Sequence, residues 1–190
     1  MLKKIHLERF TAFEKLDLSF SEGLNVFIGL NGVGKTHVMK AAYAACDVSK
    51  KRRNFADKLT KVFFPSDEQI GRLVKRSNKS SKTLVQIVRS SKDGRENSLK
   101  LSFSNHTTAY EKAQIVGGDT WTKEAISSVF IPVKDMMANA PGFQALYEHR
   151  DIHFEEIYAD IIARASLPAL KGPADKDRKK LLKILQDAID

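Results

Sequence analysis

Residues 29–36 read Gly-Leu-Asn-Gly-Val-Gly-Lys-Thr and satisfy the pattern G-x-x-x-x-G-K-[ST] at every defined position. Glycines in such a turn let successive backbone N–H groups point inward and form a nest for phosphate oxygens. A lysine at this spacing reaches the β- and γ-phosphates of a nucleotide, and the hydroxyl that follows it ligates Mg²⁺. The pattern therefore predicts a phosphate-binding loop in which Lys35 holds the phosphates and Thr36 holds the metal.

The segments on either side of the loop agree with this chemistry. The continuous apolar run LNVFI (24–28) predicts a strand buried on both faces, and the Ala-rich segment 35–46 predicts a helix. The N-terminus of that helix would point its unpaired N–H groups and the positive end of its dipole at the phosphates. The predicted nucleotide-binding residues are Gly29, Leu30, Asn31, Gly32, Val33, Gly34, Lys35, Thr36 and His37.

The rest of the chain mixes strands and helices. Period-two alternation at 3–9 and 15–20 predicts two antiparallel strands, and 83–88 with 98–103 predicts a hairpin. The apolar run 126–132 predicts one more strand. Helical periodicity follows in GFQALYEHR, FEEIYADIIARA and DKDRKKLLKILQDAI. The predicted fold is therefore α/β, with antiparallel strands beside the loop's own strand and a helical C-terminal part.

The positive charge is concentrated in the middle of the chain. The formal net charge is +9, and residues 49–100 hold 15 Lys or Arg against 5 Asp or Glu. We interpret 1–190 as one nucleotide-binding domain in which 49–105 is a basic insertion carrying the hairpin. Such a segment attracts a polyanion such as DNA, or it is a solvated insertion with no ligand; the charge pattern is compatible with both.

Composition narrows the cellular setting. There is no run of 18 or more apolar residues, and the first ten residues carry charges where a signal peptide needs an apolar stretch. We therefore expect a cytoplasmic protein with no membrane partner. The single cysteine, Cys46, cannot form an internal disulfide and is expected to be a small buried apolar group, with a reactive thiol as the lesser alternative.

A longer stretch resembles a known family. IHLERFTAFEKLDLSFSEGLNVFIGLNGVGKTHVMKAA is similar to the N-terminal lobe of the ABC-type ATPase heads of RecF, SMC proteins and OLD-like AAA ATPases. Those heads begin with two antiparallel strands and an L-x-x-F turn, followed by G-L-N-x-x-x-G-x-N-G-x-G-K-[ST]. Over about 40 residues the matching positions are Leu7, Phe10, Phe20, Gly23, Leu24, Asn25, Gly29 and 31–36. Val33 departs mildly, since Ser or Ala is commoner there.

The resemblance implies a ligand, a partner and further site residues. It implies ATP with Mg²⁺, a homodimer or larger ATPase assembly, and work in DNA metabolism or phage defence. The turn between the first two strands borders the base in such heads, so Arg9, Phe10 and Thr11 are candidate base-side contacts. The alternative for Phe10, and for Phe13, is a place in the core.

Motifs needed for hydrolysis are missing. Neither an LSGGQ-like signature, nor a Walker B strand ending in Asp-Glu, nor a switch histidine is convincing. The glycines in 115–121 predict a turn, and Glu155 and Glu156 are expected to be surface carboxylates on a helix. The resemblance thus implies a lobe that binds ATP but hydrolyses it poorly unless a C-terminal lobe or a partner chain supplies Walker B. The chain is then either a fragment of a longer ATPase or a naturally short subunit.

Two further positions match known motifs only in part. Lys134 or Asp135 stands where such heads have the Q-loop glutamine, and either substitutes for it or belongs to a plain connection. His149 and His153 are four residues apart, but Arg150 occupies the place of the glutamate in H-E-x-x-H, so no zinc site is predicted.

Two other function classes fit parts of the sequence. A small P-loop kinase fits the length, but two strands precede the loop and no Arg-rich lid is apparent. A non-catalytic nucleic-acid-binding module would use the basic segment, with the nucleotide only structural. A GTPase is disfavoured because D-x-x-G and [NT]-K-x-D motifs are missing.

Overall fold

The computed structural model describes residues 1–51, 53–91, 93–133, 140–149 and 154–167. Within them an antiparallel sheet of five strands forms one layer, in the order β2-β1-β3-β4-β5. The strands are β1 (Leu2–Phe10), β2 (Phe13–Ser19), β3 (Lys82–Ser90), β4 (Glu96–Ser104) and β5 (Gln114–Val116). Both predicted antiparallel pairs are confirmed, and β3 joins them by pairing with β1.

One face of this sheet is buried because apolar residues alternate along each strand and the register aligns them. Ile5 lies opposite Ile87, and Leu7 lies opposite Val85. Val85 in turn lies opposite Leu101. All of these side chains belong to the hydrophobic core. The basic segment thus supplies two central strands of the sheet.

Helices cover the buried face. They are α1 (Lys35–Lys51), α2 (Phe55–Phe63), α3 (Gly118–Trp121), α4 (Ala140–His149) and α5 (Glu156–Ala165). Helix α1 begins where predicted but continues five residues past Cys46. Cys46 is buried, as expected, and burial raises the pKa of its thiol to about 11. The third predicted C-terminal helix lies outside the described residues. None of the helices in the described ranges is long and apolar enough to cross a bilayer.

The predicted strand at 24–28 is wrong as a buried strand. The segment is extended but pairs with no strand among the described residues, and the side chains of Leu24 and Ile28 are 85% and 92% exposed. Only Phe27 turns inward. Its ring contacts that of Phe20 edge-to-face, with 6.4 Å between the ring centroids, a spacing typical of aromatic pairs. An apolar run of this kind is buried only when neighbouring strands and helices cover both of its faces.

The predicted strand at 126–132 is wrong for the same reason. The backbone N–H of Ile126 donates to Ser49 Oγ at 2.8 Å, and Phe130 contacts Tyr43 with 5.7 Å between ring centroids. The alternate residues Ile131 and Val133 are 81% and 97% exposed. The segment therefore has a strand-like alternation with one face on the helices and one face open.

The extended segment 126–133 runs antiparallel to α1. It starts beside Ser49 near the C-terminus of α1 and reaches Tyr43 four residues later. Residues 24–30 lead into the N-terminus of the same helix.

A buried ion cluster fastens α5 to α1 and α2. Lys58 is 0% exposed, and its ammonium lies 2.5 Å from Asp160, 3.1 Å from Asp47 and 3.5 Å from Glu156. Arg53 also contacts Glu156. The hydroxyl of Tyr43 donates to Asp160, and burial together with that carboxylate raises the pKa of Tyr43.

The same cluster corrects the expectation for the two glutamates before α5. Glu156 is buried, and Glu155 is ion-paired with Lys40 of α1. They are interior and partly interior carboxylates, because the helix they introduce packs its acidic first turn against basic residues of α1 and α2.

Candidate nucleotide-binding site

The glycine-rich loop lies at the surface between the extended segment 24–30 and α1. Gly32 and Gly34 have φ angles of 82° and 98°, in the left-handed region that glycine tolerates best. The N–H of Val38 donates to the carbonyl of Gly34 at 3.1 Å and closes the first turn of α1. The earlier N–H groups of the helix have no intrahelical acceptor, so they are available to an anion in front of the loop.

Lys35 folds back over the loop. Its ammonium donates to the carbonyls of Gly29 at 2.6 Å and Leu30 at 2.7 Å. These oxygens hold the positive charge beside the turn that phosphates would occupy. Thr36 is exposed at the start of α1, so its hydroxyl is free to face the same solvent-filled space.

The turn between β1 and β2 touches the loop. A Cβ built on Gly34 would lie 2.8 Å from Cε2 of Phe13, and still closer to the tip of that ring. Residues 29–34 and the predicted base-side turn are therefore adjacent. Within the turn, Arg9 and Thr11 have φ angles of 44° and 50°, which are unusual for residues other than glycine and are often found at functional sites.

The three predicted base-side residues occupy different environments. Phe10 is fully buried and meets Phe63 edge-to-face with 5.3 Å between ring centroids, which agrees with the core alternative. Arg9 is exposed, and its Nε donates to the carbonyl of Lys82 at 2.7 Å. Thr11 is half-buried, and its N–H donates to the carbonyl of Leu73. Arg9 is therefore the exposed member of the three, whereas the Thr11 hydroxyl is buried and has no hydrogen-bond partner among the described residues.

The side chain of His37 is half-buried and packs against Phe63. Its ring lies 5.6 Å from that of Phe63, and burial, followed by the nearby Lys40, lowers the pKa of the imidazole. His37 is therefore neutral at pH 7. Its side chain packs toward the core, which leaves its backbone N–H as the group suited to a phosphate.

Other predicted site residues are not brought together here. Lys134, Asp135 and His153 lie outside the described residues. The turn predicted at the glycines of 115–121 is only partly correct: Gly117 is a bend with a φ of 86°, but it follows directly on β5, and Gly118 begins α3. In the described part of the chain no cluster of three or more His, Cys, Asp or Glu is placed to hold a metal. A bound Mg²⁺ would thus take Thr36 together with phosphate oxygens and water.

Sequence reasoning missed the contact between Phe13 and Gly34. Phe13 was considered only as a core residue, because no local pattern shows which ring will pack against a glycine twenty-one positions later. The signal that exists is the second Phe of FTAFE, which places an aromatic at the end of the hairpin nearest the loop.

Gly34→Ala is expected to destabilise the chain more than Gly32→Ala. Both changes force a side chain into a left-handed conformation, at about 1–2 kcal/mol, but only residue 34 faces the Phe13 ring, and overpacking adds about 1–3 kcal/mol. Urea unfolding of the two variants measures the difference. Adding Phe13→Ala to Gly34→Ala should remove the extra loss relative to Phe13→Ala alone; equal losses at positions 32 and 34 would contradict the contact.

The α/β fold and this loop together define the P-loop class of nucleotide-binding proteins. A family model described as "AAA domain" matches residues 4–190. The chain belongs to that family, and its sequence is that of a RecF/SMC-like ABC-type ATPase lobe.

Curated relatives match only part of their own length. The chain is 33% identical over 101 residues to the DNA replication and repair protein RecF of Clostridium novyi (strain NT), which covers 53% of this chain and 28% of that protein. It is 38% identical over 68 residues to the protein of the same name from Cytophaga hutchinsonii, covering 36% and 15%. The chain therefore spans less than a third of the length of each of these relatives.

Among solved structures, the chain is similar to "Structure of the recombination mediator protein RecF-ATPrS in RecFOR pathway". The sequence identity is 19% and the TM-score is 0.46, over 77% of this chain and 38% of that one.

Proposed function

We propose that this chain is the ATP-binding lobe of a RecF-like ATPase that acts in DNA replication and repair. The observation that carries the proposal is the contact between the glycine-rich loop and the end of the β1–β2 hairpin through Phe13 and Gly34, as expected if the loop binds phosphates and the hairpin turn borders the base. Family membership and the RecF relatives support the same conclusion.

Each part of the site has a role in this proposal. The nest at 29–34 and the N-terminus of α1 bind the phosphate chain, and Lys35 exchanges its two carbonyl partners for β- and γ-phosphate oxygens. Thr36 holds Mg²⁺, which neutralises charge on those oxygens. Arg9 and Thr11 border the base.

We further propose that hydrolysis requires a Walker B strand from a longer form of this chain or from a partner. The support is the exposure of apolar side chains on two extended segments, 24–30 and 126–133, which pair with no strand among the described residues. A strand that paired with 24–30 would cover part of this apolar surface, and its Asp-Glu pair would act on Mg²⁺ and the attacking water. As the family resemblance implies, we propose that hydrolysis also requires a homodimer or a larger ATPase assembly.

The chain alone is expected to release phosphate from ATP at close to the background rate. Supplying a polypeptide that carries the Walker B strand should raise the rate at least about tenfold, because a positioned general base contributes about 10²–10⁴-fold. Phosphate release measured with both polypeptides, and again with Lys35→Ala in this chain, provides the test. Equally fast hydrolysis by the chain alone would contradict the completion model.

The partner on which the ATPase acts is proposed to be DNA, bound through the basic segment 49–100. A role in phage defence is the alternative setting that the sequence resemblance suggests. Binding of a nucleic acid without any ATP binding would favour the non-catalytic module instead, and phosphate transfer from ATP to a nucleoside or sugar would favour a kinase.

A further inference from the structure

The structure divides the basic segment into internal and exposed charges. Six of its basic residues are buried or ion-paired within the fold. They are Arg53, Lys58, Lys61, Lys75, Arg89 and Arg95. Lys58 and Arg89 are buried and are inaccessible to a polyanion, whereas the other four keep exposed surface beside a paired carboxylate.

One exposed loop carries several of the remaining basic residues. Residues 75–82, KRSNKSSK, connect the end of the 3₁₀ turn at 70–73 to β3 and contain no carboxylate. Arg76, Lys79 and Lys82 are exposed, as are the residues 77, 78 and 80 between them. We call residues 75–82 the basic loop. Lys75, at the start of this loop, forms an ion pair with Glu14, with 3.5 Å between Nζ and Oε2.

Arg9 holds both ends of the basic loop. The N–H of Lys75 donates to the carbonyl of Arg9 at 2.8 Å, and the Nε of Arg9 donates to the carbonyl of Lys82 at 2.7 Å. A bridge between Phe10 and Val74 lies beside the first of these bonds. The loop is therefore closed at its base on the same turn that contacts the phosphate loop.

We propose that the basic loop binds the phosphate backbone of DNA, with Arg76, Lys79 and Lys82 as the phosphate contacts. Lys and Arg, together with Ser and Asn, are the side chains that commonly bond phosphate oxygens without reading sequence. No aromatic residue in the loop offers a surface for base stacking. The choice of DNA as the ligand rests on the proposed function. The DNA contact proposed here is narrower than the whole segment 49–100, because it is limited to one loop beside the predicted nucleotide site.

The test compares two triple variants of the full chain with the same loss of charge. The loop triple is Arg76→Gln, Lys79→Gln and Lys82→Gln. The control triple changes three exposed lysines elsewhere: Lys4→Gln, Lys100→Gln and Lys123→Gln. Fluorescence anisotropy with a fluorescein-labelled 30-base-pair duplex of mixed sequence gives the affinity at several salt concentrations.

The loop triple is expected to lose at least about tenfold in affinity at low salt, and the slope of log K against log salt should fall by up to about 3, since each phosphate contact contributes about 0.9. The control triple should keep most of the slope. Equal losses in both triples, or no DNA binding by the unmodified chain, would overturn the inference.

ATP binding is measured on the same proteins to separate this inference from the proposed function. Both triples should bind ATP like the unmodified chain, because none of the six side chains belongs to residues 29–37. DNA binding that depends on the loop in a chain that does not bind ATP would leave the inference standing and remove the proposed function.

Discussion

Lys35→Ala is expected to weaken Mg²⁺–ATP binding by about 10- to 100-fold, as measured by isothermal titration calorimetry. A hydrogen bond to a charged group contributes about 1.5–3 kcal/mol, and Lys35 is the residue that we propose to contact the β- and γ-phosphates. In the structure its ammonium contacts only the carbonyls of Gly29 and Leu30, at the surface. The free energy of unfolding should therefore change little, so that the loss reports on binding.

Lys50→Ala is the matched control. Lys50 lies on the same helix, is exposed, and stands fifteen residues further along, near the C-terminus of α1. Its removal deletes the same charge from the chain but not from the loop, so ATP affinity should stay within about twofold. Equal affinity in Lys35→Ala and the unmodified chain would refute the phosphate-loop assignment.

Lys58→Met is expected to have the largest effect on stability, lowering the free energy of unfolding by about 3–5 kcal/mol in urea titrations. Removing one partner of a buried ionic group leaves the others without compensation. Here Asp47, Glu156 and Asp160 would lose the buried cation that they share, and the packing of α5 against α1 and α2 would be weakened.

Lys61→Met is the control for this change. Lys61 is on the same helix but pairs with Asp57 at the surface, four residues away, and such pairs contribute about 0.3–0.5 kcal/mol. Equal losses of stability in Lys58→Met and Lys61→Met would contradict the structural role of the buried cluster.

The local elements were predictable from sequence. Alternation with period two located β1 to β4, since a sheet with one buried face requires it, and the glycine spacing located the loop and the start of α1. These signals are short-range, because each depends on residues within a few positions of one another. The family resemblance came from the same stretch, in which the two strands and the loop are consecutive.

The apolar runs 24–28 and 126–132 show where sequence reasoning stops. A run without alternation indicates burial on both faces, but whether a strand forms depends on a neighbour that offers backbone hydrogen bonds. In the structure that neighbour is missing from the described residues, so both runs are extended and open on one side. The composition of a segment cannot specify what lies next to it.

By itself, the sequence determined the phosphate loop, the antiparallel strands and the family. Only the tertiary structure decided that Phe13 packs on Gly34, that Glu156 is buried against Lys58, and that Arg9 closes the basic loop. These contacts join residues that are 21, 98 and 73 positions apart. They depend on how β3 pairs with β1 and how α5 packs on α1, which is set by the burial of the whole core and not by any local pattern.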